Sequence, residues 1–345
     1  MLHVELELER RDLKVNVAFT VQPGERMALF GPSGAGKTSI LEMIAGLLAP
    51  KRGRVHLAGR ELTRVGDGPP VTVPPWARRV ALLRQNPGLF PHLTVRQNIA
   101  YTAAAVAAGE PALSLMAERL EIHDLLHARP RALSGGQAHR VALARLLLSG
   151  HDALLLDEPY TGLDARLRRI LTDVLRDESR SRGIPSVLVA HELGEAQAFA
   201  DRLAVMDRGL LLQMGSPAEV VRRPSTKRVA QLVGYLGFIP SSAVSEGGAS
   251  GPRGSSIGVH PERVRTGDAR PGEIGMTGTV TDVRPSGTSW EIEVRIGDGE
   301  DSARLRCLVP DDPPALGERT GVAVTSAPWF DASGNLLEAS PIRVI

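Results

Sequence analysis

Residues Gly31-Pro32-Ser33-Gly34-Ala35-Gly36-Lys37-Thr38 fit the pattern G-x4-G-K-[ST], with Ser39 continuing the run. Ahead of it stands Met27-Ala28-Leu29-Phe30, a short all-apolar stretch typical of a strand buried on both faces. Behind it Ile40, Leu41, Ile44, Leu47 and Leu48 recur at helical spacing. Strand, glycine loop and helix in that order are the context this pattern needs. Glycines let backbone N–H groups curl around a phosphate chain, and the helix start adds the positive end of its dipole. Lys37 brings a point charge to the outer phosphates, and the Thr38 hydroxyl can ligate Mg²⁺. Lys37 is one of 4 lysines among 41 basic residues, so a lysine kept at this point suggests a chemical requirement.

Two further motifs belong with that loop. Leu154-Leu155-Leu156-Asp157-Glu158-Pro159 puts two carboxylates at the end of a buried strand. Neighbouring strand residues face different directions, so Asp157 can hold a cation while Glu158 polarises an attacking water as general base. Ser134-Gly135-Gly136-Gln137 precedes a helical run, 138–148, and builds a second N–H-rich helix start able to grip a terminal phosphate. One chain cannot easily bring that face to its own phosphate loop. A head-to-tail pair can, with the nucleotide sandwiched between one copy's Gly36-Lys37-Thr38 and the other's residues 134–137.

The 345 residues allow two domains at roughly 150 residues each. Val4-Leu6-Leu8 and Val15-Val17-Phe19-Val21 alternate with polar residues and predict an antiparallel opening. Helical periodicity over 93–149 predicts a helical insert, including the Ala-rich segment 101–109. Strand-like runs at 153–156, 186–190 and 203–206, with a helical pattern over 167–178, predict a mainly parallel sheet covered on both faces. After Gly234 the texture changes: 241–256 is rich in Ser and Gly, and short alternating runs follow at 278–283, 290–296, 304–309 and 321–324. Turns at Pro285-Ser286-Gly287 and Gly297-Asp298-Gly299 punctuate them, which predicts a small all-β, OB-like barrel. The part from Tyr235 onward carries 10 basic and 15 acidic residues, against 31 and 24 before it, so the two parts differ electrostatically. Overall the net charge is +2, and no global field marks a nucleic-acid binder. The single cysteine, Cys307, cannot form an internal disulfide, which fits a reducing compartment. No uncharged apolar stretch of about 18 residues predicts a span, and residues 1–11 lack a signal-peptide core.

With these motifs in order, the sequence resembles the nucleotide-binding subunit of ABC transporters over about residues 1–234. The resemblance implies an α/β P-loop ATPase core with a helical insert (the ABC ATPase fold), with ATP and Mg²⁺ as cofactors. It implies that residues 31–39 and, from a second copy, Ser134, Gly135, Gly136 and Gln137 hold the nucleotide. Gln85 matches the glutamine that senses Mg²⁺ and links to the membrane subunit, so Thr38, Gln85 and Asp157 are the implied metal contacts. Asp164, in Gly162-Leu163-Asp164, matches the D-loop at the dimer interface, and His191, after Val187-Leu188-Val189, matches the switch histidine that contacts the γ-phosphate. Glu158 and His191 are then the catalytic pair. Residues 235–345 resemble the TOBE-type β domain of bacterial importer ATPases through Gly258-Val259-His260-Pro261-Glu262-Arg263-Val264. Within importers, residues 80–95 and the form of the signature helix look most like molybdate-type ATPases; sulfate, ferric-iron, polyamine and sugar types are similar as well.

The same resemblance implies a homodimer on the cytoplasmic face of the membrane, bound to integral permease subunits and served indirectly by a solute-binding protein, with no nucleic-acid partner. Residues 88–92 are expected in the docking groove. The C-terminal barrel either binds a regulatory ligand or extends the dimer contact. A soluble, non-transport ABC protein is the reading from another class; it predicts two cassettes in one chain or a long coiled-coil insertion, and this sequence has neither. Three departures stand out. Glu9-Arg10-Arg11-Asp12 offers no aromatic for adenine, His139 stands where glutamine is common, and Glu192 where aspartate is common.

Overall fold

The computed structural model describes residues 1–10, 13–244, 252, 254–270, 273–297, 302–310 and 312–337. Arg11 and Asp12, most of the Ser/Gly-rich stretch and the Asp298-Gly299 turn lie outside the described residues. The chain divides into two compact units, Met1–Pro217 and Ala218–Ile345.

The first unit opens with β1 (Leu2–Arg10) and β2 (Leu13–Val21), antiparallel from Leu2↔Val21 to Arg10↔Leu13. Their alternation places Leu2, Val4, Leu6, Val15, Val17 and Val21 in the core. Then come β3 (Arg26–Phe30), α1 (Lys37–Ala45), β4 (Arg52–Leu57), β5 (Arg60–Val65), β6 (Val71–Thr72) and β7 (Val80–Leu83). The insert supplies α2 (Val95–Ile99), α3 (Ala103–Arg119) and α4 (Gly135–Leu147). The unit closes with β8 (Ala153–Asp157), α5 (Ala165–Arg182), β9 (Ser186–Ala190), α6 (Leu193–Phe199), β10 (Arg202–Asp207) and β11 (Leu210–Gly215).

All eleven strands join one sheet in the order β6-β5-β4-β1-β2-β11-β10-β3-β9-β8-β7. The run β10-β3-β9-β8-β7 is parallel, and β3, β8 and β9 are buried at every position, as strands sandwiched between helical layers must be. Their C-terminal ends bring the loop after β3, the carboxylates after β8 and His191 after β9 to the same edge, where open α/β sheets bind ligands. In the insert, α3 is broken at Gly109 (φ 76°, ψ 179°), two residues before Pro111. A left-handed glycine followed closely by proline cannot continue a helix, so the Ala-rich segment forms a separate piece.

From the boundary at Pro217 the chain runs through α7 (Pro217–Arg222) and α8 (Lys227–Leu232) into eight strands among the described residues of the second unit. These are β12 (Gly237–Pro240), β13 (Ser256–Val259), β14 (Val264–Thr266), β15 (Ile274–Ser286), β16 (Ser289–Ile296), β17 (Ala303–Val309), β18 (Arg319–Val324) and β19 (Trp329–Phe330). They form sheets β12-β13-β19 and β14-β18-β15-β16-β17 around one apolar core that includes Ile257, Met276, Ile292, Leu305 and Val322. The β15–β16 hairpin turns between Ser286 and Ser289, with Gly287 at φ 62°, as a two-residue loop with glycine first requires. Cys307 lies buried in this core, and burial pushes its thiol up to about 12. Among the described residues no helix is long and apolar enough to cross a membrane.

Candidate functional site

The loop between β3 and α1 is shaped by close backbone approach. A Cβ at Gly31 would lie 2.1 Å from the Met206 carbonyl oxygen of β10, so only glycine lets the two strands pass. Gly36 caps α1 in the left-handed region (φ 92°), beneath the Leu13 and Val15 side chains of β2. Lys37, the first residue of α1, is 4% exposed. Its ammonium donates to the Gly31 and Pro32 carbonyls at 2.7 and 2.9 Å, which leaves one of its three N–H donors for a ligand. Burial lowers the Lys37 pKa, against the opposing pull of Glu158 and Asp157.

The two carboxylates separate as their strand position requires. Asp157 ends β8 at 5% exposure and accepts a hydrogen bond from Thr38 Oγ1 at 3.0 Å. Burial raises its pKa, the Thr38 bond opposing. Glu158 leaves the strand in the left-handed region (φ 51°), an uncommon conformation for a residue with a side chain and one held here by its surroundings. Its backbone N–H still reaches the Val189 carbonyl of β9 at 3.3 Å, while its carboxylate turns to His191 Nε2. A cavity of about 240 Å³ is lined by residues 33–39 with Leu13, Glu158 and His191. The loop and the candidate catalytic pair are therefore together.

Other predicted residues lie elsewhere. Ser134 caps α4: its hydroxyl accepts from the Gln137 N–H at 3.3 Å, and Gln137 Oε1 accepts from the Ser134 N–H at 2.8 Å, a reciprocal capping box. Residues 134–137 do not line the phosphate-loop cavity. Asp164 caps α5 by accepting from the Leu167 N–H at 2.9 Å. Gln85 is exposed in the loop after β7. Register Leu83↔Leu156 places it just past the same sheet edge that carries Asp157. His139 is buried on α4 with Nε2 unpartnered, and burial lowers its pKa. Glu192 lies 3.2 Å from Arg168.

Two arginines that sequence reasoning did not single out support the site from behind. Arg78, 2% exposed, donates to the carbonyls of Met43 and Ile44, ending α1, and to that of Val73. Arg26, also 2% exposed, pairs with Asp201 at the start of β10.

Residues 15–161 match the sequence profile of the ABC transporter family, and residues 257–330 that of the TOBE domain. The sn-glycerol-3-phosphate import ATP-binding protein UgpC 2 of Rhizobium johnstonii is 35% identical over 328 residues, covering 90% of this chain and 93% of that protein. The chain belongs to the ABC transporter ATP-binding subunits that carry a TOBE domain. The molybdate/tungstate import ATP-binding protein WtpC of Pyrococcus horikoshii is 37% identical over 249 residues, 70% of each chain. A solved structure of the ATP-binding subunit of an ABC transporter superposes with a TM-score of 0.55 at 26% identity, over 68% of this chain and 95% of that one. This ABC subunit is an ATP hydrolase.

The donors around the phosphate loop suit the divalent cation that the family implies. Thr38 and Asp157 offer hard oxygen ligands within hydrogen-bond distance of each other, and Asp157 is a buried carboxylate with no cation at salt-bridge distance among the described residues. Among those residues no group of three or more His, Cys, Asp or Glu side chains could hold a metal. A cation kept by one carboxylate, a hydroxyl and the nucleotide's own phosphates calls for none.

Proposed function

We infer that this chain is the ATP-hydrolysing subunit of an ABC importer, with residues 1–234 as the ATP-binding domain and 235–345 as a TOBE-like domain that regulates or extends the dimer. The observation that carries this reading is the cavity holding residues 33–39, Glu158 and His191 but not Ser134 to Gln137. Each copy thus offers a phosphate-binding half and, separately, a capped helix start facing outward. Two copies head to tail complete two sites, with one copy's Ser134, Gly135, Gly136 and Gln137 closing on the nucleotide held by the other, and with Asp164 at the seam.

In each site the loop's backbone N–H groups and Lys37 bind and orient the phosphates. Thr38 and Asp157, with Gln85 approaching from the neighbouring loop, would hold Mg²⁺, which supplies charge neutralisation at the phosphates. Glu158 takes the proton of the attacking water, and His191 at its side holds that water and the terminal phosphate in line.

The exposed loop 88–92 is braced from inside. Arg145 donates to the Pro87 and Gly88 carbonyls at 3.1 Å and sits over the Phe90 ring, which stacks on Tyr101 at 4.3 Å. This braced edge, bordering a cavity of about 340 Å³, is proposed as the seat for the permease on the cytoplasmic face of the membrane. The proposed cargo is an oxyanion such as molybdate. Support comes from the signature helix and residues 80–95, and from the relationship to the molybdate/tungstate import protein.

The test is ATP turnover by the chain copurified with its membrane partner in liposomes, with binding protein loaded in turn with molybdate, sulfate, ferric iron, a polyamine or a sugar. Stimulation by molybdate alone supports the whole reading. Stimulation by another cargo keeps the motor and discards the oxyanion; no membrane partner discards the importer.

A further inference from the structure

The site residues of one chain fall into two groups that serve different nucleotides in the head-to-tail pair, and one side chain bridges them. Arg168 is in the first turn of α5. Its Nε donates to the Leu163 carbonyl at 3.0 Å, fixing the loop that carries Gly162 and Asp164. Its Nη1 reaches Glu192 Oε2 at 3.2 Å and Glu195 Oε1 at 3.6 Å, on the segment that begins with His191. Glu195 is only 17% exposed and has no other ion-pair partner among the described residues. One planar guanidinium thus ties the loop before α5 to the loop before α6, a fork that an ammonium cannot reproduce.

The same loop touches the signature helix. A Cβ added at Gly136 would lie 3.5 Å from the Gly162 carbonyl oxygen and 3.5 Å from Leu163 Cδ2, so the start of α4 is in van der Waals register with it. Below, the loop is anchored rather than free. The Leu163 N–H bonds the Tyr160 carbonyl at 3.1 Å, and Thr172 Oγ1 bonds the buried Tyr160 hydroxyl at 3.0 Å and the Arg168 carbonyl at 2.8 Å. Packed elements held in this way shift as units instead of deforming smoothly. A cavity of about 690 Å³ opens beside Arg168 between α5 and α6, giving room for such a shift.

We propose that Arg168 is a positioning residue that couples the two nucleotide sites of the dimer: it links His191, which serves the nucleotide on its own chain, to Gly136, which closes on the partner's nucleotide. The coupling rests on the two-copy reading above. It runs from His191 through Glu192 and Glu195 to Arg168, then through Leu163 and Gly162 to the signature helix.

The experiment uses the full chain and compares wild type with Arg168→Met, Arg168→Lys, Glu195→Gln and the double variant Arg168→Met/Glu195→Gln. The readouts are the dependence of ATPase rate on ATP concentration, the ATP affinity without turnover, the oligomeric state with ATP and the melting temperature. Arg168→Met is expected to lower turnover and to turn a cooperative ATP dependence into a hyperbolic one, a loss of roughly five- to a hundredfold coupling between the two sites. ATP affinity and ATP-induced dimerisation stay near wild type. Arg168→Lys restores the rate only in part, and the double variant is no worse than Arg168→Met, as members of one link should be. Unchanged cooperativity in a dimeric Arg168→Met overturns the coupling alone. A joint loss of affinity and melting temperature also overturns it, because that is what a purely structural arginine would give. A wild-type chain that hydrolyses ATP as a monomer overturns the two-copy reading and the coupling with it.

Discussion

Replacing Glu158 with glutamine isolates one proton transfer from the rest of the site. The side chain is 17% exposed, and its partner is His191 Nε2. Glutamine keeps the volume and backbone connectivity, and its amide oxygen can still accept from the imidazole. The left-handed backbone at φ 51° is no harder for glutamine than for glutamate. Folding stability should therefore change by less than about 1 kcal/mol. The substitution removes the group that accepts a proton from water, a contribution of about 10²–10⁴ in rate, or about 3–5 kcal/mol of barrier. Because Lys37 and the loop N–H groups are untouched, ATP binding survives and the ATP-bound dimer accumulates. Single-turnover phosphate release gives the rate, and nucleotide titration gives the affinity. A Glu158→Gln chain that hydrolyses ATP at the native rate would refute the assignment of the base.

Three further outcomes rest on the same geometry. Gly31→Ala forces a methyl to 2.1 Å from the Met206 carbonyl oxygen; urea unfolding should show a loss of about 3 kcal/mol, with ATP binding lost too. Arg78→Met leaves the buried carbonyls of Met43, Ile44 and Val73 without their donor and should cost about 2–4 kcal/mol in the same assay. Burial, aided by the Arg182 charge, pushes the His151 imidazole down to about 4. The unfolded chain binds that proton near pH 6.5 and the folded chain only near 4, so the lowered pKa withdraws stability as the pH falls through that window. The full effect is about 3 kcal/mol, and His151→Gln should flatten the decline in a pH series of denaturation curves.

The parallel core was legible because its signals are local. Runs such as Met27 to Phe30 and Ala153 to Leu156 have few alternatives once a glycine loop or an acidic pair ends them, and each lies on a strand buried throughout. Capping at Ser134 and Asp164 was open to the same reading, since both precede helical periodicity. The break at Gly109 was missed because alanine-rich periodicity masks a glycine and a nearby proline. The supporting arginines were not legible for a different reason. Arg78 and Arg79 are neighbours in sequence, yet Arg78 is 2% exposed against carbonyls of α1 while the Arg79 side chain is 59% exposed and pairs with Asp152. Only the approach of distant segments decides which is which, and the same holds for Arg168 between its two loops.

If ATP is held between two copies, Ser33 of one and Ser134 of the other approach across it, and a disulfide trap reads that approach. Cys307 is buried at 1% exposure, so thiols placed by Ser33→Cys and Ser134→Cys would react without competition. On the Glu158→Gln background, ATP with Mg²⁺ should drive oxidation to a covalent dimer that is absent without nucleotide or after Lys37→Ala. A chain that binds ATP yet yields no cross-linked dimer, or forms it equally without ATP, would contradict the account.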